Sequence, residues 1–123
     1  MKFTETGNSE RFSIRAYAAG RIQVGGAIYR GSLIVTPRQV LPDWPPAHID
    51  ALTAEHLDAV VALAPEVLLL GTGTTQIFPD PALYAALLAR RIGLEVMDTR
   101  AACRTYNILL AEDRWVVAAL IMI

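Results

Sequence analysis

The sequence has little lysine and little cysteine, and each shortage excludes a class of chemistry. Lys2 is the one lysine among 123 residues, beside ten arginines. No lysine in the body of the chain is therefore available to form a Schiff base or to contact phosphate in a nucleotide-binding loop. Cys103 is the one cysteine. An internal disulfide and a multi-cysteine zinc site are excluded, and a reducing cytoplasm is the expected location.

Long apolar runs are also missing. The apolar runs at residues 67–70 and 115–123 fall short of the roughly 20 residues of a bilayer helix, so no membrane span is expected. Glu5 and Glu10 lie near the start, where no basic stretch precedes an apolar one, so neither a signal peptide nor a mitochondrial transit segment is expected. With 54% hydrophobic and 19% charged residues, the composition favours a homo-oligomer, a protein partner or an apolar pocket.

The charge balance gives no reason to expect a nucleic-acid partner. The net charge is −1, and the arginines are scattered along the sequence. Nucleic-acid binding needs a clustered basic face. Arginine far exceeds lysine and alanine is abundant, which is typical of a bacterial protein.

The order of apolar runs and turns predicts an α/β fold. Short apolar runs divided by glycine turns fill the first third and predict an N-terminal antiparallel β meander that ends at Pro37. After Pro45 and Pro46 the pattern alternates, with helices near 53–63, 81–92 and 98–110 and strands near 67–70, 94–97 and 114–121. Gly93 is expected at the left-handed position that ends the second helix. We therefore predict a three-layer single domain over residues 1–123, with a central mixed sheet in which the meander is followed by β-α-β-α-β.

The first candidate for a functional site is the loop from Gly71 to Thr75. It follows an apolar strand, at the carboxyl end where open α/β sheets bind ligands. Its backbone N–H groups could bind an anion. Gln76 replaces the third glycine of a dinucleotide fingerprint, and the Gly-Lys-Ser/Thr of a phosphate loop is missing. The alternative is a purely structural loop with glycines at positive φ.

The second candidate is the start of the third helix. Asp98 and Thr99 either cap this helix or face a ligand at its positive end. Arg100, Arg104 and Asn107 recur at i, i+4 and i+7 and form one polar stripe. In one interpretation Asp98 and Arg104 meet the glycine loop across adjacent strand ends; in the other, Asp98 only caps and the apolar neighbours of the stripe are core. The residues of this candidate pocket are Gly71, Thr72, Gly73, Thr74, Asp98, Thr99, Arg104, Tyr106 and Asn107.

No catalytic residue, metal or cofactor is assigned. Cys103 has no histidine nearby in sequence to act as a base, so a buried, inert thiol is favoured. His48 and His56 are a weak metal signal, and solvated or capping histidines are the simpler interpretation.

A longer stretch of sequence resembles a known family. It comprises GLEVMDTRAACRTYNILL at 93–110, the preceding LLLGTGT and the closing RWVVAAL. The resemblance is to small domains that include an archaeal structural-genomics protein, the mitochondrial complex I assembly factor three and an adipogenesis-associated vertebrate protein. It implies a three-layer α/β fold, no established enzymatic activity, and a suspected pocket near the strand ends, where Gly71, Gly73, Asp98, Arg104 and Tyr106 would lie.

Two functions are compatible with these observations. The first is a cytoplasmic, non-catalytic interaction or assembly module with a protein partner, resembling respiratory complex assembly factors. The alternative is a small-molecule (anion)-binding domain or minor enzyme, with its pocket at the Gly71–Thr75 loop and the Asp98–Asn107 helix start.

Overall fold

The computed structural model describes residues 11–123. Eight strands and three α-helices follow one another along these residues, with a 3-10 turn at Ile49–Ala51. The strands are β1 (Ile14–Ala18), β2 (Arg21–Val24), β3 (Ala27–Tyr29), β4 (Leu33–Val35), β5 (Val40–Leu41), β6 (Val67–Gly71), β7 (Gly93–Met97) and β8 (Val116–Leu120). The helices are α1 (Ala54–Ala62), α2 (Pro81–Ala89) and α3 (Thr99–Ala111).

The central sheet has five strands in the order β5-β4-β8-β6-β7. β6 pairs in parallel with both β7 and β8, while β4 runs antiparallel to β8 and to β5. The chain steps outward from β6 to β7 through α2 and returns past β6 to β8 through α3. Because parallel crossovers are right-handed, reversing the step places the two helices on opposite faces of the sheet. The predicted mixed sheet with β-α-β-α-β order is confirmed.

Alternate residues of the central strands serve two separate cores, which makes the fold three-layered. Leu68 and Leu70 point into a cluster with residues of α1 and α2, such as Val60 and Leu87. Leu69 points into the opposite cluster, with residues of α3 and of the strands β1 and β2. Every residue of 68–70 is at most 1% exposed. The strand predicted near 67–70 is therefore covered on both faces, which its unbroken apolar run explains.

The first three strands form a separate antiparallel sheet, β1-β2-β3. Its register shifts between Ile14 and Ala16, which is a β-bulge. Arg15 and Ala16 are both exposed, because the extra residue breaks the alternation that the sequence predicts for this strand. The meander also ends earlier than expected, since β4 leaves it and joins the central sheet beside β8.

The helices begin as predicted and end differently. Thr53, Asp80 and Asp98 each accept a backbone N–H bond in the first helical turn, so all three act as N-caps. The expectation for Gly93 is wrong: α2 ends at Ala89, and Arg91, at φ 62°, takes the left-handed position. Gly93 instead begins β7, paired with Val67.

Two further expectations concern more than the described residues. The absence of a targeting segment was inferred from residues 1–10, which lie outside them, and the single domain over 1–123 stays a prediction. Within residues 11–123, no helix has both the length and the apolar character to cross a bilayer.

Candidate functional site

The glycine loop begins where β6 approaches helix α3 closely. A Cβ atom added to Gly71 would lie 2.8 Å from Thr99 Oγ1 and 3.1 Å from Thr99 Cα. Real Cβ atoms do not come that close to other heavy atoms. Glycine at position 71 therefore permits the contact between the strand end and the helix start.

Thr99 joins the loop, the helix and the last strand through hydrogen bonds. Its buried hydroxyl donates to the carbonyl of Ile121 over 2.7 Å and accepts the N–H of Gly73 over 2.8 Å. Its own N–H donates to the carbonyl of Gly73 over 2.9 Å. Gly73 has φ 97°, which side-chain-bearing residues rarely adopt. Thr99 therefore links the glycine loop, the start of α3 and the residue after β8.

The rest of the loop is also bonded within the chain. The Thr72 N–H donates to Met97 O over 2.9 Å, and its hydroxyl donates to Thr75 O and accepts the N–H of Ile77. Gln76 Nε2 donates to Val96 O over 2.9 Å, at the open edge of β7. An anion-binding loop would hold such donors ready for a ligand. Here the N–H groups of Thr72, Gly73 and Ile77 are already used.

A cavity of about 410 Å³ lies where β6 and β8 end. Thr72, Gly73 and Thr74 of the predicted site line it, together with Thr75, and Thr74 and Thr75 are exposed. The remaining lining residues are Ala47, His48, Ile49, Asp50, Ile77, Ile121, Met122 and Ile123.

Sequence reasoning did not place His48 and Asp50 at this cavity. They precede and occupy the 3-10 turn, more than 20 residues before the glycine loop. No spacing in the sequence indicates this proximity, because it depends on how the segment after β5 crosses the sheet edge. The sole local hint is the extended chain that Pro45 and Pro46 impose.

Asp98 is accounted for by helix capping. Its carboxylate Oδ1 accepts the N–H of Ala101 over 2.9 Å. It is half-buried at the start of α3 and does not line the 410 Å³ cavity.

Arg104, Tyr106 and Asn107 face the first strand, away from the glycine loop. The hydroxyl of Tyr106 donates to Phe12 O over 2.6 Å, and burial raises the pKa of this phenol. Asn107 Oδ1 accepts the N–H of Ile14 over 2.9 Å, and its Nδ2 donates to Ile14 O over 2.8 Å.

Arg104 completes this seam, since its Nη1 donates to Tyr17 Oη over 3.1 Å. The predicted polar stripe of α3 therefore exists, but it attaches β1 to the helix. A single pocket shared by Arg104 and the glycine loop does not match this arrangement, because the helix presents the two groups to different neighbours.

Cys103 cannot act as a nucleophile where it lies. It is fully buried in the cluster beneath α3, and burial raises the pKa of its thiol to about 12. The nearby Arg104 and Arg100 oppose this shift but do not outweigh it. At neutral pH the group stays a protonated thiol. Among residues 11–123, no three His, Cys, Asp or Glu side chains come together as metal ligands would.

A second surface of note lies on helix α2. Its nine residues carry no charged side chain, and Leu87 is the buried one. Leu88 is 66% exposed, as is Phe78 in the preceding loop, and Ile77 is 44% exposed. We call Ile77, Phe78 and Leu88 the α2 surface. Exposed large apolar side chains on a helix and on the loop that leads into it are candidates for a contact surface.

Known proteins are similar to this chain in sequence and in fold. Residues 14–121 match a family model described as a protein of unknown function, DUF498/DUF598. The chain belongs to this family. It is 31% identical over 101 residues to the 13 kDa major membrane protein of Francisella tularensis, covering 81% of the chain and 82% of that protein. It is 30% identical over 119 residues to the NADH dehydrogenase (ubiquinone) 1 alpha subcomplex assembly factor 3 of Xenopus tropicalis, covering 95% of the chain and 64% of that protein.

Solved structures of similar proteins confirm the fold. A Bordetella parapertussis protein superposes with a TM-score of 0.86 at 40% identity, covering 92% of the chain and 97% of that protein. A Bordetella pertussis protein described as a Mth938-like domain superposes with a TM-score of 0.79 at 34% identity, covering 91% and 85%. The resemblance to complex I assembly factor three is thereby confirmed as homology, and the three-layer α/β fold is confirmed with it.

Proposed function

We propose that this chain is a non-catalytic interaction module that takes part in assembling a protein complex, as its assembly-factor relatives are named to do. Homology to such a factor over 95% of the chain carries the proposal. The internal bonding of the glycine loop supports it, because Thr72, Gly73 and Thr99 use their polar groups to hold the fold. The buried, protonated thiol of Cys103 supports it too.

The α2 surface is the contact surface in this proposal. Phe78 and Leu88 each leave two thirds of their area in water, and covering them would supply the apolar centre of an interface. The partner is a subunit of a respiratory NADH dehydrogenase or a second copy of the chain. A cytoplasmic location is part of the proposal, supported by a single cysteine that forms no disulfide.

The test is affinity purification with a surface variant and a matched control. The tagged chain is used as bait in detergent extracts of its host, and NADH dehydrogenase subunits are quantified by mass spectrometry. The double variant Phe78→Asp/Leu88→Asp should recover at least tenfold less of them. The Ile108→Asp control, at a 59% exposed position on α3, should recover as much as wild type. If no subunit exceeds an unrelated bait and light scattering shows a monomer, the module proposal fails.

A small-molecule or anion-binding function is the second candidate, supported by the 410 Å³ cavity at the carboxyl ends of parallel strands. Thr74, Thr75 and His48 are exposed around it and could contact a ligand. A thermal-shift screen of phosphate, nucleotides and carboxylates should then find a compound that raises Tm, since ligands stabilise the state they bind. The Thr74→Val variant should lose that shift without a change in its own Tm. A screen in which no compound moves Tm would remove this candidate.

A further inference from the structure

Charge is strongly separated along this chain. Residues 11–38 contain five arginines and no acidic residue, whereas residues 39–89 contain six acidic residues and neither lysine nor arginine. The first segment forms β1, β2 and β3, and the second contains α1 and α2. These elements cover opposite faces of the central sheet. Arg15 and Arg21 of the first segment are thus exposed on the three-stranded sheet, whereas Arg90 and Arg91 follow α2 on the other side.

The outward side of the three-stranded sheet carries part of this positive charge. Ile22 and Val24 point inward, at 0% and 1% exposure. Because side chains alternate along a strand, Arg21, the first residue of β2, points outward. Its cross-strand partner is Ala18. Gln23 also points outward, opposite Ile28, which is 49% exposed. Arg15 in the bulge is exposed as well, whereas Arg30 after β3 lines a groove that also contains Asp43.

Helix α3 extends the positive surface. Arg104 is exposed and bonded to Tyr17, which places it at the seam between α3 and β1. Arg100 lies one turn earlier on the same stripe. The acidic residues next to α3 lie beyond its two ends. Asp98 caps its start, and Glu112 follows its last turn. We call Arg15, Arg21 and Arg104, with Ile28, the basic face.

We propose that the basic face binds the surface of an anionic phospholipid bilayer. Arginines near such a surface are attracted to its negative potential, and an aliphatic side chain among them can enter the interfacial region. A single-stranded nucleic acid would instead use exposed aromatic side chains for stacking. Tyr17 and Tyr29 of this sheet are partly buried and pack against the core beneath it, so lipid fits the surface better.

This inference is independent of the proposed assembly function. The α2 surface lies on the other side of the central sheet. Partner capture in detergent therefore tests the α2 surface, and vesicle binding tests the basic face. Either can fail without the other.

The experiment is sedimentation of the full chain with vesicles. One set is pure phosphatidylcholine and the other contains phosphatidylglycerol in addition; both are measured at low and at high sodium chloride. Binding to the anionic set alone, weakened by salt, is expected. Each arginine near the surface contributes roughly a fivefold change in partitioning, so Arg15→Gln/Arg21→Gln should bind about 25-fold more weakly.

A charge-matched control makes the result specific. Arg90→Gln/Arg91→Gln removes the same charge after α2, on the opposite side, and should bind about as well as wild type, since both arginines lie outside the basic face. Ile28→Ser should weaken the binding that remains at high salt. No preference for anionic vesicles, equal losses in both double variants, or binding to a DNA duplex in place of vesicles would each overturn the proposal.

Discussion

At Gly71 the end of β6 lies so close to α3 that one added carbon has a measurable cost. In Gly71→Ala the new methyl group would press on Thr99, whose hydroxyl is fixed by two hydrogen bonds, and on Leu120 Cδ2 at 3.0 Å. We expect a loss of about 1–3 kcal/mol in the free energy of unfolding, measured in urea. Gly31→Ala is the control, because nothing lies within 4 Å of its added Cβ and its φ is not positive. Equal losses in the two variants would contradict the close contact.

Asn107 tests whether the stripe of α3 holds β1. In Asn107→Asp the carboxylate can accept the Ile14 N–H, but its second oxygen faces the Ile14 carbonyl and cannot donate. We expect destabilisation of about 1–3 kcal/mol at neutral pH. This environment raises the folded-state pKa of the new carboxyl, so the destabilisation should shrink as pH falls below that pKa. Urea unfolding at several pH values checks this, and Asn107→Ala should show a loss without that pH dependence.

At the scale of elements, the end of α2 is the clearest departure from expectation. Arg91 N donates to Leu88 O and Ile92 N donates to Leu87 O, the paired bonds of a Schellman motif, yet the left-handed residue is an arginine. Arg91→Gly should raise the free energy of unfolding by about 0.5–1 kcal/mol, since glycine adopts this φ without strain. Arg90→Gly removes the same charge at φ −98° and should destabilise. A lower Tm for Arg91→Gly would refute the argument.

An ion pair that depends on pH joins the segments just before β6 and β8, at the amino-terminal ends of these strands. Arg114 Nε donates to Glu66 Oε1 over 3.0 Å, and this hydrogen bond lowers the pKa of Glu66 below its ordinary value of 4.5. A lowered folded-state pKa means that the stabilisation is present above the unfolded value and is lost as pH falls through the folded one. The Tm of Glu66→Gln should therefore lie below that of wild type at pH 7. The two Tm values should converge once the pH falls below the lowered pKa of Glu66; a gap that persists in strong acid would exclude this cause.

Local patterns predicted the elements of this fold, and long-range contacts determined the rest. Thr53, Asp80 and Asp98 begin helices because capping depends on a few neighbouring residues. The glycine loop was found because strand ends and turns are also local. The pairing of β4 with β8 joins residues more than 80 positions apart, and no periodicity encodes it. The contact of Asn107 with β1 could not be predicted for the same reason, since its partner Ile14 is 93 residues away.

At the scale of the whole molecule, the basic face and the α2 surface lie on opposite sides of the central sheet. With the basic face on an anionic bilayer, the acidic side with α1, α2 and the α2 surface would point away from it, free to meet a protein partner. The chain would then hold that partner next to the membrane without crossing it. This arrangement explains how one small fold can serve two contacts, and it predicts which residues lipid covers.

Thiol labelling can measure this orientation directly. Cys103 is buried and protonated, so a maleimide should react only at an introduced cysteine. On vesicles containing phosphatidylglycerol, Ile28→Cys should react at least tenfold more slowly than in solution, because the bilayer covers the basic face. Phe78→Cys, 66% exposed on the other side, should react at its solution rate and serves as the internal control. Protection of Phe78→Cys in place of Ile28→Cys would reverse the orientation, and protection of neither would show that the vesicles do not cover the sheet.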